Sequence, residues 1–140
     1  MTDLDRAREL LRTERHTCVL CKGETTYVSD RMGIAPMMEF LDADIDLVGF
    51  SAADRIVGKA AAMLFALAGV REIYAEVLSE RAIPVLQKYG IGYSYGRLTP
   101  VIINRKGDGA CPMENAVEHL EEPAAAREAI RKTLELLKKG

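Results

Sequence analysis

The residues Asn104-Arg105-Lys106-Gly107-Asp108-Gly109-Ala110-Cys111-Pro112-Met113-Glu114 set two adjacent cations and two glycines ahead of a thiol. Pro112 suits the first position of a helix, where a fixed helical φ helps and a missing N–H is no loss. Cys111 is then the N-cap, and Glu114 stands where a carboxylate can reach back to the cap. A thiol at a helix start beside Arg and Lys has a lowered pKa, and the same geometry holds anions. Two readings stay open, a ligand-binding or catalytic loop and a structural turn. On the first, Asn104, Arg105, Lys106, Gly107 and Asp108 bind a ligand and Cys111 is a nucleophile.

A second cation stands out at Lys59. Residues 53–68 predict a helix opened by Ser51 and ended by Gly69, and after Lys59 it contains only Ala, Met, Leu and Phe. Such a helix is apolar all round and central. A lysine on it must snorkel, find a carboxylate or line a cavity. The reading adopted is a pocket-facing Lys59 that binds a ligand or handles protons. Asp54 sits in the predicted first turn, where Ser51-x-x-Asp54 reads first as a capping box and second as a ligand contact. Glu80 follows a predicted strand at Ser79-Glu80-Arg81; capping by Ser79 is the plainer reading and ligand contact the other.

Two other patterns carry less. Cys18-x-x-Cys21 falls on a predicted strand, where residues three apart point to opposite faces, so zinc and redox readings are set aside. Gly90-x-Gly92-x-x-x-Gly96 follows a helix and leads into a strand, the reverse of a dinucleotide loop, and reads as turn chemistry.

The elements that must position these groups follow from periodicity. Residues 3–15 read as an amphipathic helix, residues 17–22 and 25–29 as a hairpin, and residues 36–41 as a short helix with Met37 and Met38 inward. Strands are predicted at 46–50, 70–78, 91–95 and 99–103, and helices from Ser79 to Gly90, over 111–120 and over 123–139. Strands alternating with helices after a hairpin imply an α/β fold, a three-layer α/β/α sandwich with a mixed central sheet.

The totals narrow the classes. The chain of 140 residues reads as a single domain, 1–140, with a net charge of −2. With that charge, no Trp and eight aromatics, nucleic acid is not an expected partner. The apolar run over residues 60–70 is too short to span a bilayer, and the charged N-terminus lacks a signal core, so a cytoplasmic location is expected. Three cysteines do not describe a disulfide framework.

The hairpin near residues 17–29, the block AADRIVGKAAAMLFALAGVREIYAEV, the LQKYGI segment and the INRKGDGACPME loop together resemble an uncharacterised prokaryotic domain of unknown function with a cytidine-deaminase-like fold. The resemblance covers nearly the whole chain and implies the order helix, hairpin, then alternating helices and strands. It does not imply a working deaminase. Zinc deaminases begin their central helix with His/Cys-Ala-Glu and the next with Pro-Cys-x-x-Cys. Here Val57-Gly58-Lys59 and Ser79-Glu80-Arg81-Ala82 stand at those places, without histidine or cysteine. Neither a metal nor another cofactor is therefore expected.

Three functions are weighed. The first is a metal-free module binding an anionic small molecule, such as a nucleotide derivative, near Lys59 and residues 104–111. The second is an enzyme with Cys111 as nucleophile and Lys59 or Asp108 moving protons, though no histidine is placed by sequence as base. The third is a structural or interaction domain, with strand edges or the Met37–Met38 pair forming a homodimer.

Overall fold

Thr2 opens the first helix with a reciprocal cap. Its hydroxyl accepts the Asp5 N–H at 3.0 Å, and the Asp5 carboxylate accepts the Thr2 N–H at 3.1 Å. The helix α1 (Asp3–Thr13) buries Ala7 and Leu11 on one face. It leads to the hairpin β1 (Cys18–Lys22) and β2 (Thr25–Ser29), then to α2 (Ala35–Asp42). The remaining elements are β3 (Ser51–Val57), α3 (Lys59–Ala68), β4 (Glu72–Ser79), α4 (Ile83–Lys88), β5 (Gly92–Thr99), α5 (Pro112–Val117) and α6 (Pro123–Lys139). This computed structural model describes residues 1–104, 106, 107, 109 and 111–139.

The five strands form one mixed sheet in the order β2-β1-β3-β4-β5. Strand β1 is antiparallel to both β2 and β3, whereas β3, β4 and β5 run parallel. Parallel neighbours require crossover connections, which α3 and α4 supply. On one face α1 packs over β1, β3 and β4. On the other, α3 lies in the main core, with α2, α4, α5 and α6 packed around it. The helices thus divide unevenly between the two faces.

Helix α3 is as apolar as its composition requires: Ala60, Ala61, Ala62, Met63, Leu64, Phe65 and Ala68 are all buried. Each large apolar side chain buried this way contributes roughly 1.5–3 kcal/mol. A smaller cluster of Ala7, Leu11, Val19, Cys21 and Ala53 lies under α1. Cys18 belongs to the main core and Cys21 to this cluster, so the two thiols face opposite sides of the sheet. Met37 and Met38 are buried in the core. They therefore offer almost no surface for the dimer contact suggested by their sequence.

Three regions of the chain differ from the prediction. Residues 51–57 are a central strand where a helix start was predicted; Ala52 and Ala53 are fully buried there, small enough for helices to approach both faces. Residues 46–50 form no strand; Leu47 and Phe50 bury their side chains from an irregular turn. The two predicted strands around Gly96 are one continuous strand, β5, and Val101 and Ile103 beyond it are exposed rather than buried.

The end of the hairpin carries a pH-sensitive tie. His16 lies with Nδ1 2.7 Å from Asp30 Oδ1 and Nε2 3.0 Å from Glu14 Oε2. The bond to Asp30, then that to Glu14, raises the His16 pKa above its ordinary 6.5. A raised folded pKa gives stability that is complete below the unfolded value and lost as pH rises through the folded one. Thermal melts from mildly acidic to mildly alkaline pH should show this downward slope near neutrality, and His16→Gln should flatten it. An unchanged slope in the variant would show that His16 contributes nothing.

Candidate functional site at the strand ends

The C-terminal ends of β3, β4 and β5 lie on one edge, where parallel α/β sheets build their sites. Strand β3 ends in Val57, and Gly58 supplies no side chain to cap α3. The cap comes from another element. Glu114, on α5, is only 9% exposed and accepts the Lys59 N–H at 2.7 Å and the Ala60 N–H at 2.8 Å, one on each carboxylate oxygen. Two orphan donors of α3 are satisfied, and the negative charge sits on the positive end of the helix dipole. The absence of a side chain at Gly58 makes this possible. A Cβ there would lie 2.2 Å from Glu114 Oε1.

Strand β4 passes into a short 3₁₀ turn, Glu80–Ala82. The Ser79 hydroxyl accepts the Arg81 N–H at 3.1 Å, the capping role its sequence suggests. The Ser79 hydroxyl also donates to the Pro100 carbonyl at 3.4 Å, tying β4 to the segment after β5. That segment folds back through Asn104 N–H to the Gly109 carbonyl, 2.8 Å, and Cys111 N–H to the Ile102 carbonyl, 3.2 Å.

Two adjoining clefts open here. One of about 300 Å³ lies between Arg81, residues 101–103, Gly107, Asn115 and Glu118. The other, about 530 Å³, lies between α3, α4 and α5, with Lys59, Arg81, Lys88 and His119 among its walls. Arg81, Glu114 and Glu118 border both. Lys59 Nζ donates to the Glu118 carbonyl at 2.9 Å, and an Arg81 guanidinium nitrogen is 3.7 Å from Glu118 Oε1. Both cations are thus held by the end of α5, loosely in the case of Arg81.

The residues expected from sequence are distributed around this edge rather than gathered in it. Lys59 stands at the first position of α3, not in the middle of a longer helix, and lines the larger cleft. Gly107 lines the smaller. Glu80 is exposed on its 3₁₀ turn, Asn104 and Lys106 belong to the folded-back segment, and Arg105 and Asp108 lie outside the described residues. Cys111 is the N-cap of α5, but its side chain makes no cap bond and packs half-buried against the core. Glu114 caps α3 across the cleft instead of its own helix.

Asp54 is on β3, not in a helix, and its capping box with Ser51 does not form. Ser51 instead donates to Glu72 Oε2 at 2.6 Å. Asp54 is 6% exposed and directly opposite Cys18 across the β1–β3 pair. Burial is the main cause that pushes its pKa from 3.8 up to about 7, against the Arg55 and Ile56 N–H groups and the Arg55 charge, which favour the carboxylate. Burial and the neighbouring Asp54 charge push the Cys18 thiol well above its ordinary range.

Sequence reasoning missed Arg81 and Glu118, and it gave Glu114 the wrong partner. One signal was available: a buried helix beginning Gly58-Lys59, with no Ser, Thr, Asp or Asn at its start, needs an acceptor from elsewhere. Nothing in the spacing from residue 58 to residue 114 identifies which carboxylate supplies it.

A five-stranded mixed sheet flanked by helices, with clefts at the ends of its parallel strands, defines an α/β protein. The family profile "TM1506: Domain of unknown function (DUF1893)" matches residues 6–134, and the chain belongs to this family. Among solved structures it is similar to a DUF1893 family protein, TM1506, from Thermotoga maritima. The two are 27% identical with a TM-score of 0.82, over 97% of this chain and 91% of that one. No match is found among curated proteins. Among the described residues no helix is long and apolar enough to cross a membrane.

Proposed function

We propose that this protein is a metal-free module of cytidine-deaminase-like fold that binds an anionic small molecule, such as a nucleotide derivative, at the C-terminal ends of β3, β4 and β5. The observation that carries this reading is the placement of Lys59 and Arg81 on the walls of adjoining clefts at that edge. The element order, helix, hairpin, then alternating strands and helices, supports the fold assignment.

The two cations have partners that a ligand can replace. Lys59 is bound to a main-chain carbonyl, and Arg81 is half exposed with, among the described residues, one long ion-pair contact. Neither leaves a buried charge behind when it turns to a phosphate or carboxylate, and a guanidinium offers such a group a bidentate fork. The end of α3 itself is not the anion site, because the Glu114 carboxylate already occupies it. The cleft also holds Glu118 and Glu121, whose charges oppose anions in general and leave Arg81 and Lys59 as the positions a ligand must match. A Cys111 nucleophile gains no support from this geometry. His16 is bound by Glu14 and Asp30, and His119 pairs with Glu118.

Titration calorimetry with a panel of nucleotides and phosphorylated metabolites should find at least one ligand that binds. Arg81→Ala and Lys59→Ala should each weaken it by about tenfold or more, the loss expected for one charge-assisted contact. Added salt should weaken it as well. Silence across the whole panel, or full affinity in both variants, would remove the proposal.

A further inference from the structure

Strand β5 is an edge of the sheet without the devices that natural edges use against pairing. It runs for eight residues, GYSYGRLT, with no proline, no lysine and one charge, Arg97. The opposite edge, β2, has only five residues. Short edges, lysines, prolines and covering helices prevent strand addition. Helix α4 packs on one face of β5, whereas on the other α1 packs mainly over β1 and β3 and touches β4 less. Tyr95 is 43% exposed, and Leu98 and Val101 are also exposed.

The strand's sequence is complementary to itself. A two-fold axis perpendicular to the sheet pairs two β5 strands antiparallel, so that each residue opposes one on the same face. With the axis at Gly96, Gly96 opposes Gly96, Tyr95 opposes the second copy's Arg97, and Tyr93 opposes the second copy's Thr99. The Tyr95–Arg97 pair then occurs twice, a guanidinium beside an aromatic ring, and no like charges meet. Gly96 suits the axis. The Tyr74 hydroxyl and the Glu76 carbonyl already crowd it, at 3.1 and 3.0 Å from where a Cβ would be. In the same register Val101, beyond the strand, falls opposite the second copy's Ile91, just before β5 begins. The two clefts, at the C-terminal ends of antiparallel strands, point away from each other, with Val101 of the smaller one at the border of the interface.

We propose that β5 is the interface of a homodimer, joining two sheets into one of ten strands through pairing of β5 with β5 about Gly96. Sedimentation velocity over a wide range of concentration should show reversible dimerisation of the intact chain. Tyr95→Lys places a cation opposite Arg97 at both symmetric positions and should weaken association by about tenfold or more, whereas Tyr95→Phe should retain it. Tyr95 is at the surface, so circular dichroism should show an intact fold. Hydrogen exchange on the unmodified chain gives a second test: amides of β5 should gain protection as concentration rises, and those of β2 should not. A monomer at every concentration overturns the proposal. So does a dimer that Tyr95→Lys leaves intact, or one whose added protection lies outside β5.

Discussion

Asp54→Asn should stabilise the folded chain by roughly 2–4 kcal/mol at mildly alkaline pH. The carboxyl has an ordinary value of 3.8 when exposed and about 7 in its buried place on β3. Below the lower value both states are protonated and Asp54 adds no pH dependence. Between the two, the unfolded chain has released the proton and the folded chain keeps it. Stability therefore falls as pH rises through this interval and levels off once the folded carboxyl is ionised. Asparagine keeps the oxygen that accepts the Arg55 N–H, now 2.8 Å away, and never has to bury a charge. Urea denaturation across this pH range should show a falling curve for the natural chain and a flatter one for the variant. His16 adds a slope of the same sign nearer neutrality, so the comparison is cleanest with His16→Gln in both chains. Asp42 acts oppositely. Arg127 and Arg131 bond to it and lower its pKa, and the stability it gives is lost only as pH falls below its ordinary range. Parallel curves for the natural chain and Asp54→Asn would mean that Asp54 ionises normally in the fold.

Asp54 also shows why the centre of the sheet was hidden in the sequence. Ser-Ala-Ala-Asp-Arg has the composition of a helix start, with good helix formers and a plausible cap. It is a strand because Ala52 and Ala53 face helices on both sides of the sheet and must be small. Tertiary packing outweighs local preference at this position. Where side chains recur with one face buried, as in α1 and α6, or two strand-like runs flank a glycine turn, as in the hairpin, the elements were legible. The candidate site was legible only in part. Lys59 was visible as a charge on an apolar helix, but its setting depended on where that helix begins. Arg81 had no signal of its own, because an arginine one residue into a turn after a strand is ordinary surface composition. Its place beside Glu118 arises from a contact between residues far apart in the chain.

A second long-range contact, between Gly58 and Glu114, predicts a mutation whose effect changes sign with its background. Glu114→Ala leaves the Lys59 and Ala60 N–H groups without their charged acceptor, one of them buried, and should destabilise by about 2–4 kcal/mol. Gly58→Ala should destabilise by a similar amount, roughly 2–4 kcal/mol, because its methyl takes the place of the carboxylate. The three atoms nearest that methyl all belong to Glu114. Gly58 itself has φ −104° and ψ −170°, an extended conformation open to alanine. With Glu114 already alanine, the obstruction is gone. Gly58→Ala should then be neutral or stabilising by about 0.5–1 kcal/mol, through the smaller entropy of the unfolded chain. The four chains form a double-mutant cycle with a coupling energy of about 2–4 kcal/mol, measured by denaturant melts. Additive losses would mean that the Glu114 carboxylate does not rest on the start of α3. A cycle that couples as predicted would place α5, and with it the Lys59 and Arg81 contacts at Glu118, where the clefts require them.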